Sequence, residues 1–472
     1  MRRFLTWKWI GRATLALLVI VLTTPLIYHV VVRAQGRREL DAVFAQLDRD
    51  DPGWRLDDIV RATNAKLPPD DRNPFVLATA ANDLLPPNSK ERSKNFPVWP
   101  AAEPNVLLDA ATKARFVAAF RGMEPTIDLA RGLADLPDAG GNVIVMPANP
   151  LNREMGRESD LGLMQRLLRA DAVLLAEDGK HDMAVRSVRA ALATARALGD
   201  DPSQIGQRAR VGAGAAAVRA IEGVLNLGEP EAGLAELQAE SLRESEVPKF
   251  LVGMIAERAS FERVCADIDS GAAAGGVPAS TFQLSEAKLT SLLIRTHLGG
   301  DQAFGLRLLT RYIEAAKLPP HERLAALHAI LPVPVRDPRK MLTRLLMPSV
   351  ETFYETTLRG QGELAAVAVG IACERYRRKF GQWPATLGDI PKDILAAVPT
   401  DPGDGKPLKY KRLADRIVVY SVGPDGIDHG GDLNDTTPQT QRDWGIRLYD
   451  VPHRRRPAPP AADPLPLPGD AP

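Results

Sequence analysis

Four aspartates near the carboxyl end, Asp425, Asp428, Asp432 and Asp435, carry the strongest chemical suggestion in this 472-residue chain. Carboxylates are hard oxygen donors, and a loop containing Gly426, Gly430 and Gly431 bends easily enough to bring several of them to one calcium ion, which takes about six to eight oxygens. Four acids in a tight loop without a cation would repel one another. The same residue types also build ordinary solvated turns that need no metal, so both readings stand at this level. His429 is a poor calcium ligand and is expected to point away.

Other chemistry is sparse. His321 and His328 lie two turns apart on one predicted helix; about 10 Å of rise separates them, too far to share a zinc ion with nitrogen ligands near ~2 Å. There is no His-Glu-x-x-His pair, glycine-rich phosphate loop, Gly-x-Ser-x-Gly elbow or paired Cys-x-x-Cys. No catalytic or cofactor-binding residue is assigned, and the chain is expected not to be an enzyme. The rival expectation is an exported hydrolase whose site assembles from dispersed residues. Cys265 and Cys373 are too few for a disulfide framework and are expected as separate buried thiols rather than a bridge. With 60 basic against 59 acidic side chains, nothing marks a nucleic-acid partner.

The elements that position these residues begin with a membrane anchor. From Ala13 to Val32, twenty consecutive residues include only His29 as a readily ionised side chain, and a helix of that length spans roughly 30 Å, the hydrocarbon thickness of a bilayer. Arg2, Arg3, Lys8 and Arg12 precede it and Trp7 and Trp9 suit the headgroup layer, which keeps the amino terminus cytoplasmic and exports the body. Arg33, Arg37 and Arg38 on the far side weaken that asymmetry. A cleaved signal peptide is one alternative, but its apolar region usually runs only about 7 to 15 residues. Either outcome exports the body. A buried soluble helix is the other alternative, though twenty apolar residues exceed what most core helices need.

Length implies two or three domains, and an Ala/Leu-rich middle with 5% aromatics favours helices. The expected division is a cytoplasmic tail over 1–12, a transmembrane anchor over 13–33, a helical domain over 34–330, a Pro-rich linker over 331–338, an α+β domain over 339–450 and a disordered Pro-rich tail over 451–472. The fold class is therefore mainly α. Within the body, Asp160 to Asp200 reads as an αα-hairpin turning at Gly179. Its small-residue spacing resembles a tetratricopeptide repeat; with no second copy visible, an irregular helical body is the other reading. Further helices are expected over 229–245, 248–268, 285–297, 302–316 and 321–330, a brief strand over 142–146, and an extended loop over 85–105. Toward the end, a helix from Glu363 should stop at Gly381 before two strands, 408–413 and 416–422, and a third over 444–449.

Four short motifs in that last region occur in a recognisable order: Glu374-Arg375-Tyr376-Arg377, then Gly381-Gln382-Trp383-Pro384, Asp401-Pro402-Gly403-Asp404-Gly405-Lys406-Pro407, and Tyr420-Ser421-Val422-Gly423-Pro424-Asp425-Gly426 followed by Gly430-Gly431-Asp432. On these residues, about the last quarter of the chain resembles the globular domain of the major pseudopilin (G-type) of type II secretion systems. That resemblance implies a small α+β domain whose loop after the second strand binds calcium. It matches Asp425 to the first ligand, Asp432 and Asp435 to the later acidic one, and Val422 to a carbonyl ligand. The pseudopilin leader and cleavage motif are missing, so polymerisation is not expected. The whole chain looks like a bacterial membrane-anchored family to which no reaction is attached. The resulting expectation is a single-pass inner-membrane protein with a periplasmic body of structural or interaction type. It would touch lipid through its first helix and bind a protein or peptide; an accessory role in a secretion machine is the alternative.

Overall fold

The computed structural model describes residues 2–87, 89, 103–136, 140–145, 158–270, 292–330, 337–347, 349–433 and 443–458. Helix α1 runs unbroken over Arg2–Asp50, 49 residues, through Pro25. Pro25 withholds one backbone donor, while Thr23 Oγ1 donates to the Val19 carbonyl at 2.7 Å. From Leu15 to Val31 every large apolar side chain leaves half or more of its surface exposed, whereas Leu40, Val43 and Leu47, spaced three and four apart, are at most 4% exposed. One helix therefore has an apolar stretch that the described residues leave largely uncovered and a carboxyl-terminal part built into the body.

The body follows as α2 (Leu56–Asn64), α3 (Pro74–Asp83), α4 (Ala110–Phe120), α5 (Glu124–Arg131), α6 (Glu158–Glu177), α7 (His181–Ala197), α8 (Gln204–Leu227), α9 (Leu234–Glu246), α10 (Lys249–Ser270), α11 (Leu292–Lys317), α12 (Pro320–His328), α13 (Met341–Leu346) and α14 (Val350–Phe380). A three-stranded antiparallel sheet, order β1 (Lys409–Arg412), β2 (Arg416–Ser421), β3 (Trp444–Tyr449), follows α14. The expected α6–α7 hairpin is present, with Gly179 at φ +78 in the turn. The chain is mainly helical with a small terminal sheet, as its composition implies.

Two apolar clusters organise the packing. In one, Leu40, Val43 and Leu47 of α1 meet Phe250 and Val264 of α10, Leu306 and Leu309 of α11, and Phe353 and Leu358 in the first half of α14. In the other, Val188 of α7, Ile221 of α8 and Leu237 of α9 meet Val367 and Ile371 in the second half of α14, with Ile417 and Val419 of β2 and Ile446 and Leu448 of β3. Helix α14 thus threads both clusters, and side chains from either side of the Pro-rich run share one interior. The sheet lies close on this helix: a Cβ at Gly370 would come within 2.8 Å of Ile446. Gly381 ends α14 at φ 77, the left-handed cap its position suggests.

Several local expectations are revised. The helices expected over 285–297 and 302–316 join in α11, which continues through Gly299 and Gly300 because α1 packs there: a Cβ at Gly36 would meet the Gly300 nitrogen at 2.7 Å. Helix α14 starts thirteen residues before Glu363, since Phe353, Tyr354 and Leu358 supply its apolar face in the first cluster. Residues 142–145 form no strand; the Asn64 side chain takes the place of a partner strand, accepting from the Ile144 N–H and donating to its carbonyl, both at 2.9 Å. Nor does the tail begin at Val451. Arg456 bridges to Val106, and Arg454 is buried. Residues 459–472, most of the linker (331–336) and most of the 85–105 loop (88 and 90–102) lie outside the described residues, as does 271–291, where a flexible glycine-rich break is expected over 271–276.

Candidate functional site

The loop after β2 is held from below by a buried carboxylate. Asp401 accepts from the Ser421 hydroxyl at 2.5 Å, the Val422 N–H at 3.0 Å and the Gly403 N–H at 2.8 Å, tying the 401–407 turn to the end of β2. Burial pushes its carboxyl above the usual range, against the pull of these donors. The two turns touch so closely that a Cβ at Gly403 would strike the Gly423 carbonyl at 2.3 Å. Beside them, Asp404 accepts from Lys409 Nζ at 2.8 Å.

The loop aspartates engage mostly short-range donors. Asp425 accepts from the Ile427 N–H at 3.1 Å, closing an Asx turn. Asp428 accepts from the Tyr420 hydroxyl at 2.9 Å and the Gly430 N–H at 2.8 Å. Burial, and then Asp428 itself, push the Tyr420 phenol above its ordinary value. Gly431, at φ +78, lies against the Tyr420 ring, where a Cβ would sit 3.0 Å from it. Val422 is buried with its N–H committed to Asp401, Asp432 is half-buried further along the loop, and Asp435 lies outside the described residues.

The central group is one that composition placed elsewhere. His429 does not point away: its Nε2 lies 3.8 Å from Asp425 and its Nδ1 3.7 Å from Asp443, so the imidazole stands between two carboxylates. Asp443, next to β3, accepts from the Gly431 N–H at 2.7 Å and the His429 N–H at 3.3 Å, and burial raises its carboxyl. Asp401 stands in the 401–407 motif, although its bonds to the end of β2 were not legible there, and Asp443 did not emerge from spacing because it joins the loop only through strand pairing. An aspartate directly before the last strand was the only available signal. Among the described residues, no three His, Cys, Asp or Glu side chains gather as a metal-holding group.

A second polar assembly sits at the end of α14. Glu374, with no exposed side-chain surface, binds Arg377 at 2.7 Å and Arg454 at 2.9 Å. Burial opposes its ionisation, but the two guanidinium groups outweigh burial and hold the carboxyl below its usual range. Arg454 also donates to the Gly228 carbonyl at 3.0 Å. Arg455, at φ 55, donates to the carbonyls of Ala176, Leu227 and Glu177, which are terminal acceptors of α6 and α8. These arginines, assigned by composition to a loose tail, lock helix ends to the sheet.

Cys265 and Cys373 are both free, buried in different clusters. A small cleft is lined by Lys249, Arg323, Tyr354 and Gln361, among others. Three of its polar side chains are already engaged: Lys249 pairs with Glu244 at 3.0 Å, Arg323 donates to the Leu318 carbonyl at 2.8 Å, and the Tyr354 hydroxyl donates to the Pro320 carbonyl at 2.6 Å. In comparisons with protein-family models, curated proteins and solved structures, nothing matches the chain.

Proposed function

We propose that this chain is a single-pass membrane protein whose body lies on the extracytoplasmic side of a bacterial inner membrane and serves as a structural or protein-binding scaffold. The observation that carries the reading is the division of α1. Its 42 residues from Trp9 to Asp50 contain an 18-residue window of mean hydropathy 2.4 with no buried residue, while its last turns are core. Exposing that much apolar surface to water would be strongly unfavourable, and lipid removes the cost. The test is a pair of carboxyl-terminal fusions, alkaline phosphatase and a fluorescent protein, with alkaline carbonate extraction. Phosphatase activity in the carbonate-resistant pellet supports the reading. Fluorescence from the interior, or release into the soluble fraction, overturns it.

Within this reading the pseudopilin-like loop is the ligand-responsive part of the scaffold. Calcium would be taken by Asp425, Asp428 and Asp432 only if His429 leaves its place between Asp425 and Asp443. The support is the gathering of acids around a single displaceable ring.

A further inference from the structure

The small cleft where α9, α10, α12 and α14 meet carries three charged side chains on its lining, Glu246, Lys249 and Arg323. Lys249 is already neutralised. It is buried against Glu244, which also binds Arg210 at 2.7 Å, and Arg210 reaches Asp200 at 3.2 Å, so two bases and two acids cancel.

Arg323 and Glu246 are different. Arg323 Nε donates to the Leu318 carbonyl, and among the described residues neither terminal nitrogen of the same guanidinium has a hydrogen-bond partner or a carboxylate at ion-pair distance. Four of its five N–H donors therefore remain for the cleft it lines, and neither terminal nitrogen is fully enclosed. Burial pulls the guanidinium below its ordinary value, and the group that opposes this is the Tyr354 phenol, not an acid. Half-buried Gln361 and exposed Glu246 likewise make no hydrogen bond or ion pair with any described residue. The wall between them is fixed: the Thr357 hydroxyl donates to the Tyr354 carbonyl at 2.8 Å, and the Tyr354 hydroxyl is held by Pro320.

Charge decides which ligand suits this arrangement. One unpaired guanidinium matches one carboxylate, whose two oxygens accept its parallel N–H bonds. A dianion such as phosphate would bring surplus negative charge toward Glu246. A ligand that carries an ammonium beside its carboxylate satisfies both unpaired side chains at once.

We propose that this cleft binds a small zwitterion, a free α-amino acid, with its carboxylate on Arg323 and Gln361 and its ammonium on Glu246. The site is built from the body alone, so it does not depend on whether α1 spans a membrane.

The test titrates glycine and acetate against the detergent-solubilised full chain by saturation-transfer NMR, with inorganic phosphate as competitor. Glycine should bind about two- to fivefold more tightly than acetate, the gain of one exposed ion pair. Arg323→Gln should weaken both at least about tenfold, the loss of a charged hydrogen-bonding partner, with an unchanged circular-dichroism melt. Arg323→Lys should restore part of that loss. Glu246→Gln, a change at an exposed position, should bring glycine down to the level of acetate. The proposal is overturned if glycine binds Arg323→Gln as it binds wild type, if Glu246→Gln leaves the preference for glycine intact, or if phosphate displaces glycine more readily than acetate does. Absence of transfer from glycine to the folded wild type overturns it as well.

Discussion

The imidazole of His29 and the hydroxyl of Thr296 meet at 2.6 Å, joining the last turns of the apolar helix to the body 267 residues later in the chain. Through this contact and the glycine crossing beside it, the apolar helix and the body pack as one unit.

Closeness at that crossing is a steric requirement. A Cβ at Gly36 would sit 2.7 Å from a backbone nitrogen of α11, which no side-chain rotation relieves. Gly36→Val should lower stability by about 1–3 kcal/mol, seen as a lower midpoint in detergent melting and faster proteolysis near Gly300. Gly162→Ala, where nothing lies within 4 Å, is the control; it should be neutral or stabilising by up to about 1 kcal/mol through helix propensity. Equal destabilisation by both would remove the argument.

The buried trio of Glu244, Arg210 and Lys249 predicts an acid transition. Burial opposes charge on Glu244, yet Arg210 and Lys249 draw its carboxyl down from 4.5 to about 2. For a depressed carboxyl, the stabilisation is complete above the unfolded value near 4.5 and is lost as pH falls toward about 2. Its size should be of order 3 kcal/mol. Melting of wild type and Glu244→Gln across pH should show a gap that is constant above the upper value and closes below it. A gap that widens in acid contradicts the assignment.

Removing Arg454 should be among the costlier single changes. Arg454→Met leaves Glu374 buried with only Arg377 and frees the Gly228 carbonyl, for a loss of about 3 kcal/mol. Adding Glu374→Gln should recover part of that loss, because no uncompensated charge then remains. Chemical denaturation of the four members of the cycle measures the coupling, and simple additivity would show that the two groups do not depend on each other.

Calcium should raise the melting temperature of the full chain if the loop takes it, with about 3 kcal/mol of stabilisation at a hundredfold excess over the dissociation constant. Asp425→Ala should abolish the shift. His429→Ala should increase it, since the ring occupies the space between Asp425 and Asp443. A shift of equal size in all three proteins places the ion elsewhere.

Much of the secondary structure is local chemistry and is written in the chain. Leu163, Leu167 and Val188 repeat at helical spacing around Gly179, Gly381 follows a basic helix end, and the third strand begins and ends where its alternation does, at Trp444 and Tyr449. The apolar run from Ala13 needs only its length to suggest lipid. Partners distant in sequence were decided by packing alone. Gly299 and Gly300 look like a break until Gly36 lies against them, and Arg454 looks like tail until Glu374 is buried beneath it. Likewise His429 is an unremarkable loop residue until strand pairing brings Asp443 alongside. Periodicity reports which face of an element is apolar, whereas the identity of the neighbour on that face depends on the closed chain. The loop aspartates found local backbone donors, but His429 and Glu374 acquired their charged partners Asp443 and Arg454 only in the tertiary fold.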